Sequence, residues 1–289
     1  MESFSFESQF KGAIRQQYKH ESLRFDSVFL VTDLDSDRAQ RVQASCQRFL
    51  SHVRSIEGAN WRVFTGADLP EVPRLLSLIE HDKPDLVVAY RNLTEHPRYP
   101  RSSLGNYVDS VTQATSVPVL VLPVRRQDDV GAEDLEGRLQ DTERVIVVTD
   151  HLTDDPQLVR FGAEFTAPGG LLLLSHVEDE DWFERYMRAI DRIPEIDNDT
   201  ARELILARLL KDARDFIDSA ASTLHEGPLD VRVSPLVQMG HTIEAYRNII
   251  AEHNVKLIVA DAKDPGRRAM SDLAYSVAVE FIDVPILLL

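Results

Sequence analysis

The sequence predicts a mainly parallel α/β fold laid down twice. Strand-sized apolar runs alternate with stretches of helical periodicity, the pattern of βαβ units with right-handed crossovers. Four sequence blocks recur in the same order along the chain, the mark of an internal repeat. A length of 289 residues suits two domains, each able to bury its own core.

In the first copy, Val28 to Val31 is a continuous apolar run of buried-strand type. Ala39, Val42, Cys46, Phe49, Leu50 and Val53 then fall on one helical stripe. Trp61 to Phe64 is a second strand, and Val72, Leu75, Leu76 and Ile79 mark the next helix. Leu86 to Ala89 is a third strand. A helix from about Leu104 to Ala114 buries Tyr107, Val108 and Val111, and Val119 to Leu122 closes the copy.

The second copy opens with Arg144 to Asp155, which resembles Ser27 to Asp37; each apolar run ends in Thr-Asp, at Thr32-Asp33 and Thr149-Asp150. Val255 to Asp261 matches Pro84 to Tyr90, and Asp283 to Leu289 matches Ser116 to Pro123. Gly66 with Leu75-Leu76 matches Gly240 with Ile249-Ile250 at the same spacing. The second copy is roughly fifty residues longer. Its extra part holds a strand at Leu171 to Ser175 and a polar segment with Trp182, Phe183 and Tyr186. A long helix follows, with Leu206, Leu209, Ala213, Phe216, Ile217 and Ala220 on one face; Thr200 and Glu203 fit a capping box at its start. The expected domains are residues 25–123, short by one βα unit, and residues 144–289. A charged linker, 124–143, joins them, part of it a short exposed helix. Residues 1–24 form an extension in which Phe6, Phe10, Ile14 and Tyr18 recur every four residues, an amphipathic helix for packing on the body or on a partner chain.

The formal charge of −16 argues against a polyanionic partner, so neither nucleic acid nor an anionic membrane surface is expected. A single cysteine, Cys46, excludes an intramolecular disulfide framework and suits a cytoplasmic location; its apolar neighbours make it a core residue rather than a nucleophile. No apolar run approaches the ~20 residues of a membrane span, and the N-terminus lacks the basic-then-apolar order of a signal peptide. The nine histidines show no H-x-x-x-H or H-E-x-x-H arrangement. Asp33, Asp35 and Asp37, like Asp150, Asp154 and Asp155, are open to a metal reading. Their place between a strand and a helix favours caps instead. Asp197-Asn198-Asp199 lacks the glycine and distant glutamate of a calcium loop and is expected to be a turn. No catalytic constellation, and no metal site, is expected.

Together, the strand ending in Thr-Asp, the glycine-led helix entry, PDLVVAY and V-P-V-L-V resemble the universal stress protein family. Leu104-Gly105-Asn106-Tyr107 stands where that family has L-G-S-V, and Gly105 precedes Pro118 by the family's thirteen residues. The resemblance implies a doubly wound, flavodoxin-like sheet with a ligand crevice where strand order reverses. It also implies an internal pseudo-dimer through the last strands, Val119 to Leu122 and Ile286 to Leu289, whose apolar edges need covering; a homodimer is a further expectation. Family members that bind ATP or AMP share G-x2-G-x9-G-[ST] after the fourth strand, with an aspartate after the first strand at the nucleoside end.

Measured against that pattern, Asp33 matches the aspartate and Gly105 the last glycine, while Asn106 replaces Ser/Thr. The first two glycines are missing: counted forward they fall on Tyr90 and Leu93, counted back on Asn92 and Glu95. The loop offers Arg91, His96, Arg98, Arg101, Ser102 and Ser103 instead, side chains able to hold a phosphate where a glycine loop would use backbone. The alternative is a solvated loop stiffened by Pro97 and Pro100. In the second copy Asp150 matches the aspartate, but the glycine positions fall on Asp261, Asp264 and Asp272, whose charge repels a triphosphate. The expectation is a non-catalytic regulatory protein acting by ligand or protein binding. ATP or AMP is the alternative ligand of the first domain, through Asp33, Arg91, Arg98, Arg101, Ser102, Ser103, Gly105 and Asn106. Nucleotide hydrolysis, with Glu95 positioning water, is a more distant alternative.

Overall fold

The computed structural model describes residues 18–94, 103–123, 138–149, 156–193, 198–262 and 270–289. Its centre is one nine-stranded sheet. The first four strands are β1 (Ser27–Val31), β2 (Asn60–Phe64), β3 (Leu86–Tyr90) and β4 (Val119–Leu122). The last five are β5 (Arg144–Thr149), β6 (Gly170–Asp179), β7 (Val231–Gly240), β8 (Leu257–Ala260) and β9 (Ile286–Leu288). Their spatial order is β2-β1-β3-β4-β9-β8-β5-β6-β7.

Every neighbouring pair is parallel except β4 with β9, which are antiparallel, Leu120 opposite Leu287. The α/β, mainly parallel architecture is as expected. The two predicted sheets are joined edge to edge into one, because two fully buried apolar strands, VLVL and ILL, leave no unpaired ladder at their meeting. The single antiparallel pair also reverses direction between the halves, so their carboxyl ends open at opposite edges of the sheet.

Among the described residues, eight α-helices cover the sheet: α1 (Ser36–Phe49), α2 (Val72–Asp82), α3 (Asn106–Ala114), α4 (Pro156–Phe165), α5 (Glu180–Ile190), α6 (Asn198–Glu226), α7 (Thr242–His253) and α8 (Asp272–Glu280). The chain steps outward from β1 to β2 and back across to β3. Right-handed crossovers then put α1 and α2 on opposite faces, the doubly wound arrangement. The last five strands do the same around β5. The predicted α1 stripe is buried throughout, from Ala39 to Phe49, with Leu50 and Val53 buried just beyond its end. Asp35 caps that helix by accepting from the Arg38 N–H, the role expected of it.

Several expectations change. The polar segment carrying Trp182, Phe183 and Tyr186 is α5, capped by Asp179, with Phe183 and Met187 buried. Helix α6 begins before the predicted capping box, so Thr200 lies inside it. Asn198 opens α6 rather than forming a turn, while Asp197 lies outside the described residues. Leu209 is 36% exposed, and the apolar face of α6 is buried only from Ala213 onward. The end of the linker is core, not surface: Leu139 and Thr142 are buried, and Arg138 pairs with Asp283 at 3.5 Å. The rest of the linker and the Phe6, Phe10 and Ile14 positions lie outside the described residues. Tyr18 and Phe25 are buried, and Phe25 stacks edge-on against Phe161 and Phe165 of α4. Residues 18–26, just ahead of β1, therefore pack on the second half of the chain.

Candidate functional site

Strand order reverses between β1 and β3, so the crevice at their carboxyl ends is where an open α/β sheet presents a ligand site. Thr32 and Asp33 leave β1 there. The Thr32 hydroxyl and N–H both donate to the Phe64 carbonyl at 3.0 Å, holding the turn against β2. Gly66 comes so close that a Cβ would stand 2.5 Å from the Asp33 carbonyl oxygen, so the chain passes only without a side chain.

Tyr90, the last residue of β3, is buried, and its hydroxyl donates to Asp33 Oδ1. The Asp33 N–H donates back to the same hydroxyl at 3.2 Å, and the Thr94 N–H donates to Asp33 Oδ2 at 3.2 Å. Both carboxylate oxygens are thus engaged by the protein itself. The loop reaches this arrangement through left-handed backbone at Asn92 (φ 54°) and Thr94 (φ 67°). For a β-branched threonine that conformation is strained, and the strain aims its amide at Asp33.

The far end of the loop returns to the same place. The Asn92 N–H donates to the Leu104 carbonyl at 2.8 Å, and the Ser103 hydroxyl donates to Asn92 Oδ1 at 3.0 Å. Gly105 has φ 85°, and a Cβ there would lie 2.7 Å from the Asn92 Cα. It forms the N-cap of α3, with Asn106 exposed on the first turn. Of the predicted site residues, Ser103, Gly105 and Asn106 therefore cluster at this helix start, and Asp33 meets the other end of the same loop. Arg98, Arg101 and Ser102, with Glu95 and His96, lie outside the described residues.

Arg91 is a correction. It is 2% exposed and turns away from the crevice, donating through Nη1 to the Ala278 carbonyl and through Nη2 to the Phe281 carbonyl at 3.4 Å. These are the last carbonyls of α8, the negative end of a helix dipole. Burial pushes the guanidinium down to about 10, against the opposing pull of Asp283. It ties the two halves together, its Nη atoms spent on those carbonyls rather than facing the crevice. The sequence marks Tyr90 only as a missing glycine, and says nothing of its hydroxyl reaching Asp33.

In the second half the corresponding crevice lies between β5 and β8. Asp150 and Asp264 lie outside the described residues. Ser271 caps α8 by accepting from the Ala274 N–H, and its hydroxyl donates to the Asp261 carbonyl at 3.1 Å; Asp272 is exposed on the first turn of α8. His176 sits near the end of β6 with Nε2 3.2 Å from Glu178. Among the described residues no group of three or more His, Cys, Asp or Glu stands close enough to hold a metal ion, and no helix is long and apolar enough to cross a membrane.

No family model matches the sequence, and no curated protein matches it. Among solved structures, the chain shares the fold of a functionally unknown protein from Pseudomonas aeruginosa PAO1, with a TM-score of 0.50 at 11% identity over 92% of each chain. A universal stress protein from Archaeoglobus fulgidus DSM 4304 aligns with a TM-score of 0.46 at 13% identity, over 92% of this chain and 98% of that one. At such identities the likeness bears on the fold alone: a doubly wound α/β protein with a mainly parallel sheet.

Proposed function

We propose that the chain is a non-catalytic regulatory protein of universal stress type, a tandem pair whose halves form a pseudo-dimer through β4 and β9. It acts by binding a ligand or a protein rather than by turning over a nucleotide. The observation that carries this reading is the engagement of Asp33 by the Tyr90 hydroxyl and the Thr94 amide. A nucleoside hydroxyl would have to displace the hydroxyl of buried Tyr90 from Asp33, and a buried donor left unpaired costs about 1–3 kcal/mol. In the second crevice Asp261 and Asp272 supply charge of the wrong sign for phosphate.

A second reading keeps a nucleotide or phosphometabolite sensor in the first half. It is favoured by the turn at Gly105, which presents the Ser103 hydroxyl and the exposed Asn106 at the start of α3 beside the Asp33 loop.

Thermal unfolding with ATP, AMP and inorganic phosphate, each with and without magnesium, separates the two. A ligand at 100 times its dissociation constant adds about 2.7 kcal/mol of stability. The regulatory reading expects no such shift for any of them. A saturable shift that Gly105→Asp removes would establish the sensor instead.

A further inference from the structure

Helix α5 is apolar on two sides. One side, with Phe183 and Met187, is buried; Arg202 of α6 lies over the Phe183 ring and pairs with Glu184. The other side faces solvent. Trp182 is 58% exposed and Tyr186 65%, Ala189 is exposed one turn on, and Ile193, 43% exposed, sits in the turn that ends the helix. The spacing 182, 186, 189, 193 is the four-three-four step that keeps side chains on one seam between two helices. Trp, Tyr and Arg are the residue types that carry most contact energy between proteins. Here the Arg185 guanidinium lies 4.9 Å over the Trp182 ring and steadies the indole.

Charge indicates what fits this seam. Helix α5 opens with Glu180 and Asp181, and towards its end carry Arg188 and Arg192 the opposite sign. A second α5 laid antiparallel on the first sets acidic end against basic end at both ends of the contact, while a parallel one sets like against like. We propose that α5 is the interface between two copies of this chain, paired antiparallel about a twofold axis near Met187. Asp181 of each copy then faces Arg192 of the other, and the two Trp182–Tyr186 pairs cover one another. Such a contact is self-complementary and closes at two copies. A seam of about three turns falls short of the ~1,200 Å² typical of stable interfaces, so the dimer is a weak one. The inference rests on α5 alone and is independent of the Asp33 crevice.

The test is sedimentation velocity of the full chain across the micromolar range, where the mass should rise towards twice that of one chain. Tyr186→Glu, a change at an exposed position, should keep the thermal midpoint and weaken association at least tenfold. Asp181→Arg and Arg192→Asp should each weaken it, and an equimolar mixture of those two variants should recover it, because only the mixed pair brings opposite charges together at both ends. A chain that stays monomeric, including one whose residues 1–17 cover α5, would overturn the proposal. So would a dimer that Tyr186→Glu leaves intact, or charge variants that mixing does not rescue.

Discussion

Cys46 is 0% exposed on the inner face of α1, and burial pushes its thiol up to about 12 from a usual value of 9.0. In the unfolded chain the thiol ionises near 9, while in the folded protein it stays protonated to about 12. Its contribution to stability is therefore full below pH 9 and falls as pH rises through the interval to 12. Each unit of pH in that interval costs about 1.4 kcal/mol. Urea unfolding at stepwise alkaline pH should show that slope, and Cys46→Ala, although less stable throughout, should flatten it. The core role of this residue was legible because its stripe is local. Asp33 and Gly105 were legible for a related reason: a strand end and a left-handed turn leave marks within a few residues. Arg91 was not, since its partners lie 187 and 190 positions away. An arginine after a strand looks the same in sequence whether it meets phosphate, water or the end of a distant helix.

Helix α8 is where that arginine acts. Its first turn is capped by Ser271 next to the β8 crevice, and its last carbonyls receive Arg91 from the end of β3. Arg91→Ala would leave two buried carbonyls without their donor and a void in place of the guanidinium, at a cost of about 2–4 kcal/mol. Hydrogen exchange in this variant should rise over residues 272–281 before it rises over α1; uniform loss of protection across the chain would argue against a local tie. Among the elements, the four strands of the first half lie within one residue of their apolar runs, while β6 runs four residues past the expected Ser175. The segment of α5 was harder, because exposed Trp182 and Tyr186 sit beside buried Phe183 and Met187 and blur its stripe. Thr200 and Glu203 have capping-box spacing, yet both lie inside α6, which begins by Asn198.

At the scale of the molecule, the joining of four strands and five strands into one sheet follows from two short apolar strands that need partners. The antiparallel contact sends the two crevices to opposite edges of the sheet. Arg91 and the segment around Phe25 cross between the halves on separate routes, and the whole is expected to unfold as a connected unit. The alternation of apolar runs and helical stripes made the mainly parallel sheet visible, but the meeting of Tyr90 with Asp33 depended on a hydroxyl reaching a carboxylate across two strands. The central claim, as proposed above, is that Tyr90 holds Asp33 in place of a nucleoside. It is tested most directly by mass analysis of the purified, denatured protein for released nucleotide. The account predicts none above a buffer control; ATP or AMP recovered in near-equal proportion to protein would contradict it.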